Sequence, residues 1–157
     1  DKAAMILDLL HRDCRGSLEQ MATMLNLPVE EVAGIIDELE KSNVILGYGA
    51  RINWDEANGS DVVTAYIEQR DLGYDRIAER IYQYTEVKAV NLMSGSYDFG
   101  ITVEGRDIRE VSRFVSEHLA PMESVIETST HFVLKRYKYD GVVCARPEKD
   151  EREVISL

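Results

Sequence analysis

The chain has 157 residues, 45% of them hydrophobic, enough for one domain or two small ones with real cores. Lys and Arg number 18 against 29 Asp and Glu, a formal net charge of -11, so any grip on nucleic acid has to come from a local basic patch. No stretch approaches the roughly 20 apolar residues of a membrane span, no secretory leader is visible, and Cys14 and Cys144 lack metal-type spacing; the expectation is a cytoplasmic protein with reduced thiols, no metal and no cofactor.

Met5, Ile6, Leu9 and Leu10 recur at helical spacing and predict a first helix ending near Arg12, with Gly16 as a stop. Ser17 and Gln20 have the spacing of a capping box, and Leu18, Met21, Ala22 and Leu25 supply the apolar stripe of a short second helix. Asn26-Leu27-Pro28 breaks it, and Pro28 suits the first turn of a third helix whose apolar face is Val32, Ile35, Ile36 and Leu39. Such an arrangement fits a helix-turn-helix domain or a plain three-helix bundle, and periodicity alone does not choose.

Val44–Tyr48 and Ala50–Trp54 read as two short strands bent around Gly47 and Gly49, which suggests a wing and makes residues 1–54 one domain with the third helix as recognition helix. Charge opposes that role. The helix carries Glu30, Glu31, Asp37, Glu38 and Glu40 against the single base Lys41, whereas phosphates and base edges are met mostly by Arg, Lys, Asn or Gln. Gly34, inside this helix, costs about 1 kcal/mol relative to Ala, tolerable where a partner has to come close.

Residues 55–61 are polar and small, as an interdomain linker is. Beyond them, Val62–Glu68 is strand-like, Ile77, Ala78, Ile81 and Tyr84 recur at helical spacing, and Val87–Met93 and Tyr97–Glu104 read as strands. Ile108, Val111, Val115 and Leu119 then form a helix closed near Pro121, and Val125–Tyr139 reads as one long strand. This order predicts a ferredoxin-like βαββαβ domain over 62–139, an antiparallel sheet with both helices on one face. The expected fold class is therefore α+β, an N-terminal winged helix-turn-helix followed by a ferredoxin-like domain. A tail over 140–157 follows, in which Val154-Ile155 could add an edge strand. Tyr66 and Phe132 leave apolar surface on the sheet that a homodimer would cover.

One stretch, Leu92–Glu104, combines Gly95, able to adopt positive φ, with a period-two strand. It reads either as an ordinary hairpin or as a ligand-binding turn. On the last strand, parity sets Thr128 and Thr130 on one side and Ser129 and His131 on the other. The histidines, His11, His118 and His131, are scattered, so no catalytic constellation and no enzyme is expected.

These elements carry a resemblance. Ile6-Leu7-Asp8-Leu9-Leu10, Arg15-Gly16-Ser17, Leu39–Tyr48, Gly95-Ser96-Tyr97-Asp98, Thr128-Ser129-Thr130 and Tyr137-Lys138 resemble, in order and spacing, the Lrp/AsnC (feast/famine) transcriptional regulators over almost the whole chain. The resemblance implies a regulator that dimerises through its C-terminal domain, assembles to an octamer in many members, and binds a small effector, usually an amino acid, at the junction between dimers. The positions matching its effector site are Gly95, Ser96, Tyr97, Asp98, Thr128 and Thr130. Backbone donors at Gly95 and Ser96 suit a carboxylate, Asp98 an ammonium, and Tyr97, Thr128 and Thr130 add hydroxyls. For DNA it implies a surface built from Arg15, Ser17, Glu30, Glu31, Ala33, Gly34, Asp37, Glu38, Lys41 and Arg51. The expected function is sequence-specific DNA binding under control of the effector. The alternative is a ligand-sensing or assembly module with weak or no DNA binding, because the recognition helix is acidic.

Overall fold

A computed structural model describes residues 1–57, 61–69 and 73–145, which fall into two compact units, one spanning Asp1–Ala50 and the other beginning at Arg51. The first holds α1 (Lys2–Arg12), α2 (Leu18–Leu25) and α3 (Val29–Lys41). Their apolar stripes converge on Ile6, Met21, Ala22 and Val32, all buried, with Leu9, Leu25, Ile35 and Ile36 packed around them. The capping box at the start of α2 forms in both halves: Gln20 N donates to Ser17 Oγ and Ser17 N to Gln20 Oε1, each at 3.1 Å. Asn26, in the left-handed region at φ 53°, closes α2, and Pro28 stands just before α3, as its cap.

The wing expected over Val44–Tyr48 and Ala50–Trp54 does not form strands. The amides of Val44 and Ile45 both donate to Leu39 O at 3.0 Å, finishing α3 instead of entering a ladder. Past Ala50 the chain belongs to the second unit, where Arg51 Nη1 donates to Asp140 O at 3.3 Å and Asn53 Nδ2 to Cys144 O at 2.9 Å. Each arm is thus engaged elsewhere, and the two do not pair.

The second unit is built on β1 (Asp61–Gln69), α4 (Tyr74–Tyr82), β2 (Val87–Leu92), β3 (Phe99–Gly105), α5 (Ile108–Phe114) and β4 (Val125–Phe132). The strands form one antiparallel sheet in the order β2-β3-β1-β4, the ferredoxin-like arrangement. Ala65, Ile67, Phe99, Ile101 and Val103 alternate along β1 and β3 and meet Ile77, Ile81, Val111, Phe114 and Leu119 from the helices in one buried core. Asp107 caps α5 by accepting from Glu110 N at 2.9 Å. The helix does not run uniformly to Pro121: Val115–Leu119 is a π-helical turn, marked by Ala120 N donating to Val115 O at 2.9 Å.

The last strand is shorter than the expected span to Tyr139. β4 pairs antiparallel with β1, Phe132 lies opposite Val63, and β1 begins only two residues earlier, so β4 runs out of partner. The chain then makes a separate hairpin, β5 (Lys138–Tyr139) and β6 (Val142–Val143). Asp140 (φ 45°) and Gly141 (φ 79°) form its turn, both in the left-handed region that two-residue hairpin loops require. The edge strand considered at Val154-Ile155 lies outside the described residues.

Candidate functional site

The turn that leads from β2 into β3 is held shut by three hydrogen bonds. Met93 N donates to Asp98 O, Asp98 N to Ile67 O, and Gln69 N to the Asp98 carboxylate oxygen Oδ2, each at 2.8 Å. Gly95 takes φ 107°, a conformation that disfavours any side chain. Residues 94–96 are exposed at the tip, while Tyr97 and Asp98 are half-buried. Asp98 therefore serves the fold with one carboxylate oxygen.

Tyr97 leans back over the open face of the sheet. Its ring lies 5.8 Å from that of Tyr66, which meets His131 edge-on at 5.6 Å. Ser129 Oγ is 2.9 Å from His131 Nε2. Gly100 sits beneath this cluster, and a Cβ there would come within 2.4 Å of Met93 Sδ and 3.7 Å of Tyr66 Cε1. Thr128 and Thr130 lie across from Ile67 and Ala65, two core residues, and so belong to the helix-covered face. The structure thus brings Gly95, Ser96, Tyr97 and Asp98 together in one turn and sets Thr128 and Thr130 on the face opposite the Tyr97 ring.

Gln69 was not singled out by its sequence context. It is 8% exposed, and neither Oε1 nor Nε2 of its amide has a partner among the described residues. A buried amide is normally satisfied, and this one belongs to the residue whose backbone N–H donates to Asp98. The alternation of Ala65 and Ile67 before it would have marked it as inward-facing.

In the first unit, the residues expected to face DNA fall into distinct environments. Arg15 is exposed, its amide donating to Asp13 Oδ1 at 2.9 Å, and Ser17 is engaged in the capping box. On α3, Glu31 pairs with Lys2, Asp37 pairs with Lys41 at 2.7 Å, and Glu40 accepts from the Tyr48 hydroxyl at 2.9 Å. The bond to Asp37 raises the Lys41 pKa; burial, followed by Glu40, raises that of Tyr48. Glu30 and Glu38 are exposed and have no ion-pair partner among the described residues. Ala33 is half-buried, and Gly34 is exposed, with nothing within 4 Å of where its Cβ would be. Arg51 lies in the second unit, against Asp140.

Among the described residues no cluster of His, Cys, Asp or Glu could hold a metal, and no helix is long and apolar enough to cross a membrane. His118 stacks with Tyr84 and Phe114 at 5.1 and 5.3 Å, far in role from the His131 cluster on the open face.

Residues 62–143 match the Lrp/AsnC ligand binding domain. The chain is 44% identical to the HTH-type transcriptional regulator YugG of Bacillus subtilis over 161 residues, covering 99% of this chain and 97% of that protein. Among solved structures, the feast or famine regulatory protein from M. tuberculosis complexed with L-methionine superposes with a TM-score of 0.74 at 22% identity, over 87% of this chain and 92% of the other. A transcriptional regulator of Neisseria meningitidis in complex with L-Met gives a TM-score of 0.74 at 19% identity, over 91% and 95%. At those identities the structures speak for the fold, and the sequence relationships speak for the family. With the four-stranded sheet, its two covering helices and the three helices before them, they establish that this chain belongs to the Lrp/AsnC family of transcriptional regulators, a family of regulators and not of enzymes.

Proposed function

We propose that this protein binds duplex DNA through the three-helix unit and takes a free amino acid at the turn formed by Gly95, Ser96, Tyr97 and Asp98. The observation that carries the reading is the Asp98 clamp. One carboxylate oxygen fixes the turn to β1 through Gln69 N, which leaves the other oxygen placed for an ammonium beside the exposed amides of Gly95 and Ser96. The unpartnered Gln69 amide adds a further polar group to the same corner. Thr128 and Thr130 would act from the helix-covered face, on a polar ligand reaching past the strand end. The L-methionine bound to two structural relatives supports an amino acid as the ligand class.

The open face of the sheet, with Tyr66, Tyr97 and His131 on it, is suited to cover by a second copy of the chain, and dimers would assemble further toward an octamer. A second reading, sensing without direct DNA binding, is favoured by the unpaired Glu30 and Glu38 on α3. Thermal-shift measurements over the twenty amino acids, followed by anisotropy on a duplex from the protein's own upstream region with and without the hit, test both parts. An amino acid that raises the melting temperature and alters a salt-sensitive DNA complex supports the proposal; no complex at any salt concentration leaves only the sensing module.

A further inference from the structure

The acidic balance of the chain is uneven. From residue 128 to 139 there is no Asp or Glu, and Lys135, Arg136 and Lys138 fall within four consecutive residues interrupted by Tyr137. The structure turns this composition into a surface. Beyond the end of β4 the chain leaves the sheet, and Lys135, Tyr137, Lys138 and Tyr139 are exposed. Lys135 Nζ lies 5.0 Å from the centre of the Tyr137 ring and Arg136 Cζ 4.8 Å from that of Tyr139. A cation over an aromatic face is held in place while its charge and outward N–H donors remain available.

The one acid of the hairpin, Asp140, is engaged by Arg51, whose Nη1 is 3.9 Å from its carboxylate and 3.3 Å from its carbonyl oxygen. Asn53 Nδ2 fastens the far side at Cys144 O. A hairpin of two residue pairs is too short to be rigid alone. These two tethers fix it to the segment that follows the three-helix unit in the chain. Three bases on and just before a tethered hairpin, backed by aromatic rings and with its acid engaged by Arg51, are suited to a row of phosphates.

We propose that the 135–139 segment is a second DNA contact, with Lys135, Arg136 and Lys138 binding backbone phosphates. The inference rests on the DNA-binding reading above. It gives the protein a source of phosphate affinity that α3, with its carboxylates, does not provide. Phosphate contacts set orientation and affinity and carry no sequence information, so the division of labour is base reading by one element and backbone grip by another.

The test is anisotropy of the full chain on its upstream duplex across a salt series, with the triple variant Lys135→Gln/Arg136→Gln/Lys138→Gln against the parent. Each phosphate contact contributes about 0.9 to the slope of log K against log salt, so the triple variant is expected to lose roughly 2 to 3 from that slope while its preferred sequence stays the same. Tyr137→Leu/Tyr139→Leu should lose a smaller part of it and Tyr137→Phe/Tyr139→Phe almost none, since phenylalanine keeps the ring face. Circular dichroism and sedimentation of each variant accompany the binding curves. A folded triple variant with the parental slope overturns the proposal. A changed copy number with that slope intact also overturns it, and assigns the hairpin to contact between copies. If the parent itself forms no salt-sensitive complex, the DNA-binding reading falls first and this inference falls with it.

Discussion

The carboxylate of Asp98 accepts the backbone N–H of Gln69 at 2.8 Å, so the residue proposed to meet a ligand also welds the β2–β3 turn to the central strand β1. On the proposed function, binding and stability are joined in one side chain. Asp98→Ala leaves a half-buried amide unpaired and is expected to cost about 1–3 kcal/mol. Asp98→Asn retains an oxygen for Gln69 N and should recover most of that loss while still failing to respond to amino acids. Chemical denaturation and ligand-induced melting shifts, measured on both variants, separate the two roles. A response in Asp98→Asn equal to the parent's would remove the carboxylate from ligand recognition.

Gly100 and Met93 are coupled across the open face. A Cβ at position 100 would meet Met93 Sδ at 2.4 Å, and that sulfur is the mobile end of a flexible side chain. Because that end can swing aside, Gly100→Ala should cost less than the roughly 1–3 kcal/mol of overpacking into a rigid core. Adding Met93→Ala should restore part of that loss, a non-additivity a double-mutant cycle measures directly. Strict additivity would mean the methionine does not occupy this space in solution.

Removing the first half of the capping box at α2 tests the three-helix unit. Ser17→Ala deprives Gln20 N of its acceptor and is expected to lower stability by about 1 kcal/mol, with Gln20→Ala costing less because the Ser17 acceptor survives. Urea midpoints at constant m-value are the appropriate readout.

Glu110 gives a pH signature. The amide of Arg106 donates to its carboxylate at 2.6 Å and lowers the pKa, with the Arg106 guanidinium at 3.3 Å acting in the same direction and desolvation opposing. A carboxylate with a depressed folded pKa contributes stability that is present above its unfolded pKa and lost as pH falls through its folded value. Glu110→Gln should thus melt slightly below the parent at neutral pH, and the gap should close on acidification through the carboxylate range. Melting curves between neutral pH and pH 3 show it; a constant gap would mean that the charge contributes nothing.

The order of elements was legible because each left a periodic trace. Ile77 and Ile81 mark α4 and Val111 and Leu119 the second helix of the sheet unit, while Phe99, Ile101 and Val103 mark β3, and all of them are buried where their spacing placed them. The capping box of Ser17 and Gln20 was equally plain, since its geometry is local. The wing failed for the opposite reason. Whether Arg51 and Asn53 pair with their neighbours or with residues 140 and 144 is decided by tertiary competition that no short window contains. The β5–β6 hairpin did leave a local signal, Asp140-Gly141 between Lys138-Tyr139 and Val142-Val143, but the same residues also fit the end of a long strand and the start of a tail. Within the candidate site, the Gly95–Asp98 turn was legible from its glycine and its alternation. The role of Gln69 was not, because an unsatisfied amide is a property of packing.

The tethers at Arg51 and Asn53 reach partners 89 and 91 positions later in the chain. The entrance of the sheet unit is thereby brought beside the end of the β5–β6 hairpin, a geometry that favours domain insertion. A different helical reader could be grafted at Ala50 without breaking a strand pair, and the sheet unit is in this sense a transplantable cartridge.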